Sequence, residues 1–487
     1  MSRAMGVAGI VKASPPEGSG SPLERLELLC DAGSFEVFRS SVMSTRIGSL
    51  AHPGDGVVAG LGRVEGRPIA CYAQDAKFLG GSLGEAQADT IDRLLQLAGR
   101  SRLPVVSVIE SGGARMQEGT AALFGYGRIF RQNVQLSGRV PQISVIAGLA
   151  AGGGCYSPAL TDFVVMTEEA AMFLTGPAVV RDVAGEDVDM QELGGRWVHE
   201  RNGVCDFVAP CDRSAVDLAR ELLGYLPQHA DGDLPQAVAA APQLSDPGEC
   251  VPSSPRRVYD VRAVSGGIVD AGSLLEVAPR WARSIVTGLA RIEGRPVGLI
   301  ASQPRYLGGV LDTESSQKAA RFVTSCDAFG LPLLVLVDTP GFMPGVQQER
   351  AGVIRFGATL VRAFAAATVP RVTVVMRKAY GGAYIAMNSR GLGADFVFAW
   401  PGAEIGVMGA HPATGIIHRR ELAAADDPDA TQQALSAAYA EEHLGAEVAA
   451  AGGFVDEVIE PRDTRARVAG AFAALSGHDR VAPPLHP

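Results

Sequence analysis

Two stretches of this chain are near copies of each other. Residues 61–83 read LGRVEGRPIACYAQDAKFLGGSL and residues 289–311 read LARIEGRPVGLIASQPRYLGGVL, a separation of 228 residues. The register survives where the identity fades. Glu110-Ser111-Gly112-Gly113 falls on Asp338-Thr339-Pro340-Gly341 at the same offset, while Pro141 and Gly152-Gly153 fall on Pro370 and Gly381-Gly382 at an offset of 229. Two copies at this spacing indicate a duplicated domain, not a solenoid. At 487 residues the chain has room for both, because single cores stop growing near about 250–300 residues.

Within each copy, apolar runs alternate with helical patterns. In the first, 105–109, 143–148 and 163–166 read as strands and 88–98 as a helix. The second repeats this with strands over 333–337, 372–376 and 396–399 and a helix over 318–329. That is the βα alternation of a mainly parallel sheet, so the fold class is α/β. The Ala-rich, charged stretch 421–442 reads as one peripheral helix. A flexible tail is expected over 1–22, a first domain over 23–242, a Pro- and Ser-rich linker over 243–257 and a second domain over 258–487.

Composition narrows the function classes. A net charge of −10 argues against a general nucleic-acid binder, whose footprint is a basic field. No run approaches the roughly 18 apolar residues of a membrane span. Residues 5–11 are too short and Gly-broken for a signal peptide, so a soluble cytoplasmic protein is expected. The seven cysteines (30, 71, 155, 205, 211, 250 and 326) are scattered and form no Cys-x-x-Cys pair. They read as reduced and mostly buried, and no metal site is expected.

Two strand-to-helix segments carry the candidate chemistry: AGLAAGGGCY, ending at Tyr156, and KAYGGAY, ending at Tyr384. A glycine-rich helix N-terminus presents free N–H donors suited to an oxyanion such as a thioester enolate. The other reading is that these glycines only allow close helix–sheet packing. A second pair of loops, ESGGARMQEG from Glu110 and DTPGFMPG from Asp338, follows apolar strands at the edge where open α/β sheets place ligands. There Arg115 either meets a phosphate or is an ordinary turn residue. The chain has no P-loop, no Gly-x-Ser-x-Gly elbow and no His-Glu-x-x-His pair, and its eight histidines are dispersed. With no obvious side-chain base, the proton acceptor is expected to arrive with a substrate or cofactor.

The blocks SGGARMQEG, AGGGCYSPALTDF, MFLTGP, LDTESSQKAARFVTSCDAF, LVDTPGFMPG, ATVPRVTVVMRKAYGGAY and AEIGVMGA resemble the carboxyltransferase β subunit of biotin-dependent acyl-CoA carboxylases, in particular the actinobacterial propionyl-CoA and acetyl-CoA enzymes. The resemblance runs from about residue 23 to residue 475. It implies two tandem crotonase-like domains, a hexamer of stacked dimers with active sites at the dimer interface, and a separate biotin carboxylase/biotin carrier partner. Carboxybiotin on that carrier and a coenzyme A thioester would be the reactants. By motif, Gly152 and Gly153 would hold the thioester oxygen, and Gly382 and Ala383 the biotin ureido oxygen. Ser111, Gly112, Gly113, Ala114 and Arg115, with Tyr156, would line the CoA side, and Ile385 would meet the acyl chain. Gly341, Phe342, Gly381 and Tyr384 would line the biotin side. Phe356, Thr359, Pro412 and Gly415 depart from the family pattern. They keep open a decarboxylase acting on a malonyl-type thioester or β-keto acid, while a ring subunit acting only as a scaffold is the least favoured reading.

Overall fold

In the computed structural model, which describes residues 20–254 and 257–477, the repeated sequence begins as a β-hairpin. Strands β2 (Val57–Val64) and β3 (Arg67–Gln74) pair antiparallel, and β1 (Glu36–Phe38) adds at the edge. Glu65 and Gly66 make the turn with φ of 51° and 76°. Two successive positive φ values are the type I′ geometry whose twist matches paired strands. The sheet then becomes parallel through β4 (Val105–Ser111), β5 (Gln142–Ala151), β6 (Phe163–Thr167) and β8 (Phe207–Ala209), with β7 (Ala171–Phe173) alongside β5.

Every residue of β4 is buried, as expected for a parallel strand covered on both faces. Its cover includes α2 (Glu85–Ser101), whose Ile91, Leu94 and Leu95 join Ala70, Tyr72, Ile146 and Met166 in one core. Helices α1 (Pro22–Leu29), α3 (Thr120–Leu136) and α4 (Gly153–Ala159) complete the elements that matter for the site.

The second unit repeats the plan. Strands β9 (Leu275–Val277), β10 (Ile285–Ile292) and β11 (Arg295–Ser302) are antiparallel. Parallel strands β12 (Leu333–Thr339), β13 (Arg371–Tyr380), β14 (Phe396–Ala399) and β16 (Glu457–Val458) follow, with β15 (Glu404–Gly406) on β13. Helices α5 (Thr313–Ala328), α6 (Val353–Ala366) and α7 (Gly381–Ala386) stand where α2, α3 and α4 stand in the first.

One feature of both sheets positions the site. The first half of β5 pairs with β6 and its second half with β7, and β13 divides in the same way between β14 and β15. The far end of each long strand therefore leaves the main sheet and delivers the glycine segment at its tip.

Two expectations change. The chain divides into compact units at 224/225, and the stretch read as a linker is packed into the second unit: the Gln243 amide donates to Gly266 O at 2.8 Å, and Pro247 is buried. The proposed single helix over 421–442 is two, Arg419–Ala424 and Pro428–His443. Asp427 caps the second and Pro428 sits at its first position, where a missing N–H costs nothing. Residues 1–19 of the expected tail lie outside the described residues, and the α1 helix already starts at Pro22.

Candidate functional site

The repeated Leu-Gly-Gly-x-Leu turns clamp the loops that follow β4 and β12. Leu83 N–H donates to Gly113 O at 2.8 Å and Arg115 N–H to Leu83 O at 2.9 Å; Leu311 N–H donates to Gly341 O at 3.1 Å and Met343 N–H to Leu311 O at 2.7 Å. A β-carbon on Gly81 would lie 1.9 Å from Glu110 O, and one on Gly309 would lie 2.5 Å from Asp338 O. The near-identical repeat is thus the clamp, and the divergent loops are what it holds.

Each loop turns on a hydroxyl at a matched position. Gly113 N–H donates to Ser111 Oγ at 3.3 Å and Gly341 N–H to Thr339 Oγ1 at 3.4 Å. Ser111 Oγ in turn donates to Gly81 O at 2.9 Å, and Gly112 N–H donates to Gly80 O at 2.8 Å. Ser111 is therefore buried and faces inward, which corrects its placement on the CoA wall; Gly112 and Ala114, with Met116, Gln117 and Gly119 further along, are the parts of this loop open to solvent.

Arg115 is a larger correction. It is fully buried, with Nη1 2.7 Å from Asp55 Oδ1 and 2.8 Å from Glu118 Oε1, and Nη2 on the carbonyls of Asp55 and Ser82. Two carboxylates and two carbonyls engage both terminal nitrogens, and Nε is buried, so the side chain is closed to a phosphate. Burial pushes the Asp55 carboxyl up in spite of Arg115. Burial acts on Glu118 in the same sense, but the Glu85 N–H, the Ser44 hydroxyl and Arg115 outweigh it and hold its pKa below the usual value.

At the tip of β5, Gly152 N–H is already donated to Phe173 O at 2.9 Å, continuing the β5–β7 ladder. The amides that open α4 are those of Gly153 and Gly154, which the first turn of a helix leaves without intrahelical acceptors. The offset of 229 places these two on Gly382 and Ala383 in α7. Matched donor pairs are therefore Gly153–Gly154 and Gly382–Ala383, which corrects the assignment of Gly152. Tyr156 and Ile385 are each about half exposed, at 51% and 50%, one turn further along their helices. Gly381 and Phe342 are partly exposed, and burial raises the pKa of the Tyr384 phenol.

A buried acid sits just before each loop, and its cation comes from different places. In the second unit Asp338 accepts from Arg377 Nε at 3.0 Å and Tyr259 OH at 2.9 Å, with Lys378 Nζ 3.4 Å away. Burial lowers the Lys378 pKa, with Asp338 opposing it. The register partner of Arg377 is Gly148, where a β-carbon would lie 2.6 Å from Glu110 Oε1. Glu110 is paired instead with Arg25 of α1 at 2.7 Å, which also holds Asp212 at 2.7 Å. Arg25, Asp212 and Tyr259 were not among the sequence candidates. The signal was there: the repeat keeps the acid and loses the strand arginine.

Among the described residues, no group of three or more His, Cys, Asp or Glu could hold a metal ion, and no helix is long and apolar enough to cross a membrane. Duplicated crotonase-like α/β units, each ending a split strand on a glycine-opened helix, define the class of fold. Comparison gives the family. The sequence matches the carboxyl transferase domain over residues 13–486, and the chain belongs to that family.

It is 47% identical over 473 residues to the methylmalonyl-CoA carboxyltransferase 12S subunit of Propionibacterium freudenreichii subsp. shermanii, covering 95% of this chain and 90% of that one. It is 45% identical over 478 residues to the propionyl-CoA carboxylase beta chain of Roseobacter denitrificans, covering 96% and 92%. The crystal structure of a transcarboxylase 12S subunit, a hexamer with methylmalonyl-coenzyme A and methylmalonic acid bound, superposes with a TM-score of 0.93 at 45% identity, over 96% of this chain and 92% of that one.

Proposed function

We propose that this carboxyltransferase moves a carboxyl group from carboxybiotin on a separate carrier subunit to the α-carbon of a short acyl-CoA, acetyl- or propionyl-CoA, giving malonyl- or methylmalonyl-CoA. The observation that carries the proposal is the matched pair of amide sites, Gly153–Gly154 and Gly382–Ala383. They answer to two reactants that each carry a carbonyl oxygen gaining negative charge. When docked, carboxybiotin supplies the CO₂ and the base for the α-proton, which fits a chain with no candidate side-chain base at either loop.

The residues of the chain have the remaining tasks. The Gly153 and Gly154 amides stabilise the thioester oxygen as the α-proton leaves, and such a donor is worth roughly 2.7–4 kcal/mol in related oxyanion sites. Gly112, Ala114 and Tyr156 line the CoA side. The Gly382 and Ala383 amides take the ureido oxygen, with Gly341, Phe342, Gly381 and Tyr384 around it. The Phe342 ring stands 3.6 Å from the position a β-carbon would take at Gly382, in ordinary contact with the donor segment. Ile385 is the acyl-chain contact.

A homohexamer, a biotin carboxylase/biotin carrier partner and a cytoplasmic location are parts of this reading. Exposed apolar residues on α3, among them Leu123, Phe124 and Val134 at 62%, 67% and 59%, support cover by a second copy. The decarboxylase reading is not favoured. Pro412 lies in the first turn of the helix Ala410–Ile417, where proline is tolerated, and Thr359 is exposed and bonds back to Arg355 O at 3.0 Å. These departures leave the amide sites intact.

The test is carboxyl transfer by the purified chain with a biotinylated carrier, its biotin carboxylase, bicarbonate, ATP and labelled acyl-CoA. Labelled malonyl- or methylmalonyl-CoA is expected. Release of CO₂ from either product with no biotin present, and no transfer in the forward direction, would refute the assignment.

A further inference from the structure

The amide donors of α4 rest on an aromatic ring, that of Tyr126. A β-carbon built on Gly153 would fall 2.7–2.8 Å from Cδ2, Cε2 and Cγ of Tyr126, so the ring lies flat against the backbone of that residue. Tyr126 is buried, on α3. Its hydroxyl is 3.3 Å from Ser111 Oγ, and the position a β-carbon would take at Gly154 is 3.5 Å from that hydroxyl. One side chain therefore touches the donor segment and the turn of the Ser111–Gly113 loop together.

The second unit fills the same place from elsewhere. The loop position aligned with Ala114 is Phe342, as the bridges Leu83–Ala114 and Leu311–Phe342 confirm. The Phe342 ring is 3.6 Å from the β-position of Gly382 and 3.1 Å from that of Gly357 on α6. In one unit the helix gives the ring and the loop gives alanine; in the other the loop gives the ring, which packs on Gly357 of the helix. Duplicated units have thus kept an aromatic plate under the donor segment while changing the element that supplies it. A plate without a job would have no reason to reappear from a different element.

The geometry points to Tyr126 as the positioning residue of the acyl-side amides: its ring sets the direction of the Gly153 and Gly154 N–H groups, and its hydroxyl is dispensable. This rests on the reading of those amides as the thioester-oxygen donors. The ring stops α4 from settling toward the core, where its first amides would turn away from the substrate oxygen. A displacement of that size, about 1 Å, is enough to lower turnover by about a hundredfold.

The test uses the full chain with its carrier partner and a CoA analogue in which a nitronate replaces the acyl thioester enolate. Wild type is expected to hold the nitronate at least ~100-fold more tightly than the acyl-CoA, as enolate mimics do at such sites. Tyr126→Phe is expected to keep that preference. Tyr126→Leu is expected to lose at least about tenfold of it and ~10–100-fold in kcat, with the KM for the biotin carrier unchanged.

No preference in wild type would refute the amide assignment itself. A wild-type preference retained by a folded Tyr126→Leu protein, with its thermal transition intact, would leave the amides standing and overturn the platform. Should Tyr126→Leu not fold, Tyr126→Phe still decides, because losing the preference there would show that the hydroxyl matters and not the ring.

Discussion

Replacing Arg115 by methionine separates two roles for a residue that a motif alone would put on a phosphate. The change keeps side-chain length and removes a charge lodged between Asp55 and Glu118, with all three side chains at 0% exposure. Breaking a buried ion pair from one side leaves an unmatched charge and costs about 3–5 kcal/mol; here two carboxylates are stranded. For a unit of this size about 2–4 °C is lost per kcal/mol, so a fall of roughly 6–20 °C in the melting of the first unit is expected.

The pH dependence has a definite sign. Without the guanidinium, both carboxyl groups titrate higher in the folded chain than in the unfolded one. The native form then binds more protons, and the stability deficit shrinks as pH falls toward the carboxylate range. Asp55, which burial already pushes up, takes its proton first. Calorimetry from neutral to mildly acid pH measures this, alongside the KM for acyl-CoA below the transition. Melting within a degree or two of wild type, with the KM raised about tenfold, would show a guanidinium that meets a phosphate and would refute the burial argument.

Other substitutions test separate parts of the account. Gly154→Ala is expected to keep kcat within about threefold, because Ala383 fills the matched place, whereas Gly153→Ala drives a β-carbon into Tyr126 and is expected to lose about tenfold or more; steady-state rates decide between them. The two copies of the Glu-Gly turn should respond unequally. Gly66→Ala meets open space and costs about 1–2 kcal/mol for its positive φ, while Gly294→Ala also puts a β-carbon 2.1 Å from Ala237 O and should cost clearly more by denaturant melting. Gly415→Ala should stabilise the second unit by about 0.5–1 kcal/mol, since its β-position has nothing nearer than Gln432 at 3.9 Å; a lower melting temperature would contradict this.

The strands and the duplicated plan were readable because they are local. Residues 333–337 are an unbroken apolar run and 105–109 one interrupted only by Ser107, and such runs have one home, the middle of a covered parallel sheet. The break before Pro428 was written in the chain as Asp427-Pro428, a cap followed by a first-turn proline, but an alanine-rich stretch averages into one helix when composition is read before punctuation.

What the sequence hid was pairing across distance. Asp55 lies 60 residues from Arg115, and Arg25 lies 85 from Glu110, and no periodicity connects such positions. Charge is the clue that survives: a buried acid kept by both copies needs a cation in both. The arginine of β13 has no counterpart on β5, so one had to come from outside the repeat. The same reasoning applies to the donors. Once Gly382 and Ala383 are taken as a pair, the offset of 229 alone selects Gly153 and Gly154. The ladder bond from Gly152 to Phe173 then explains why the selection has to be so: an amide that closes a sheet has no proton left for a substrate.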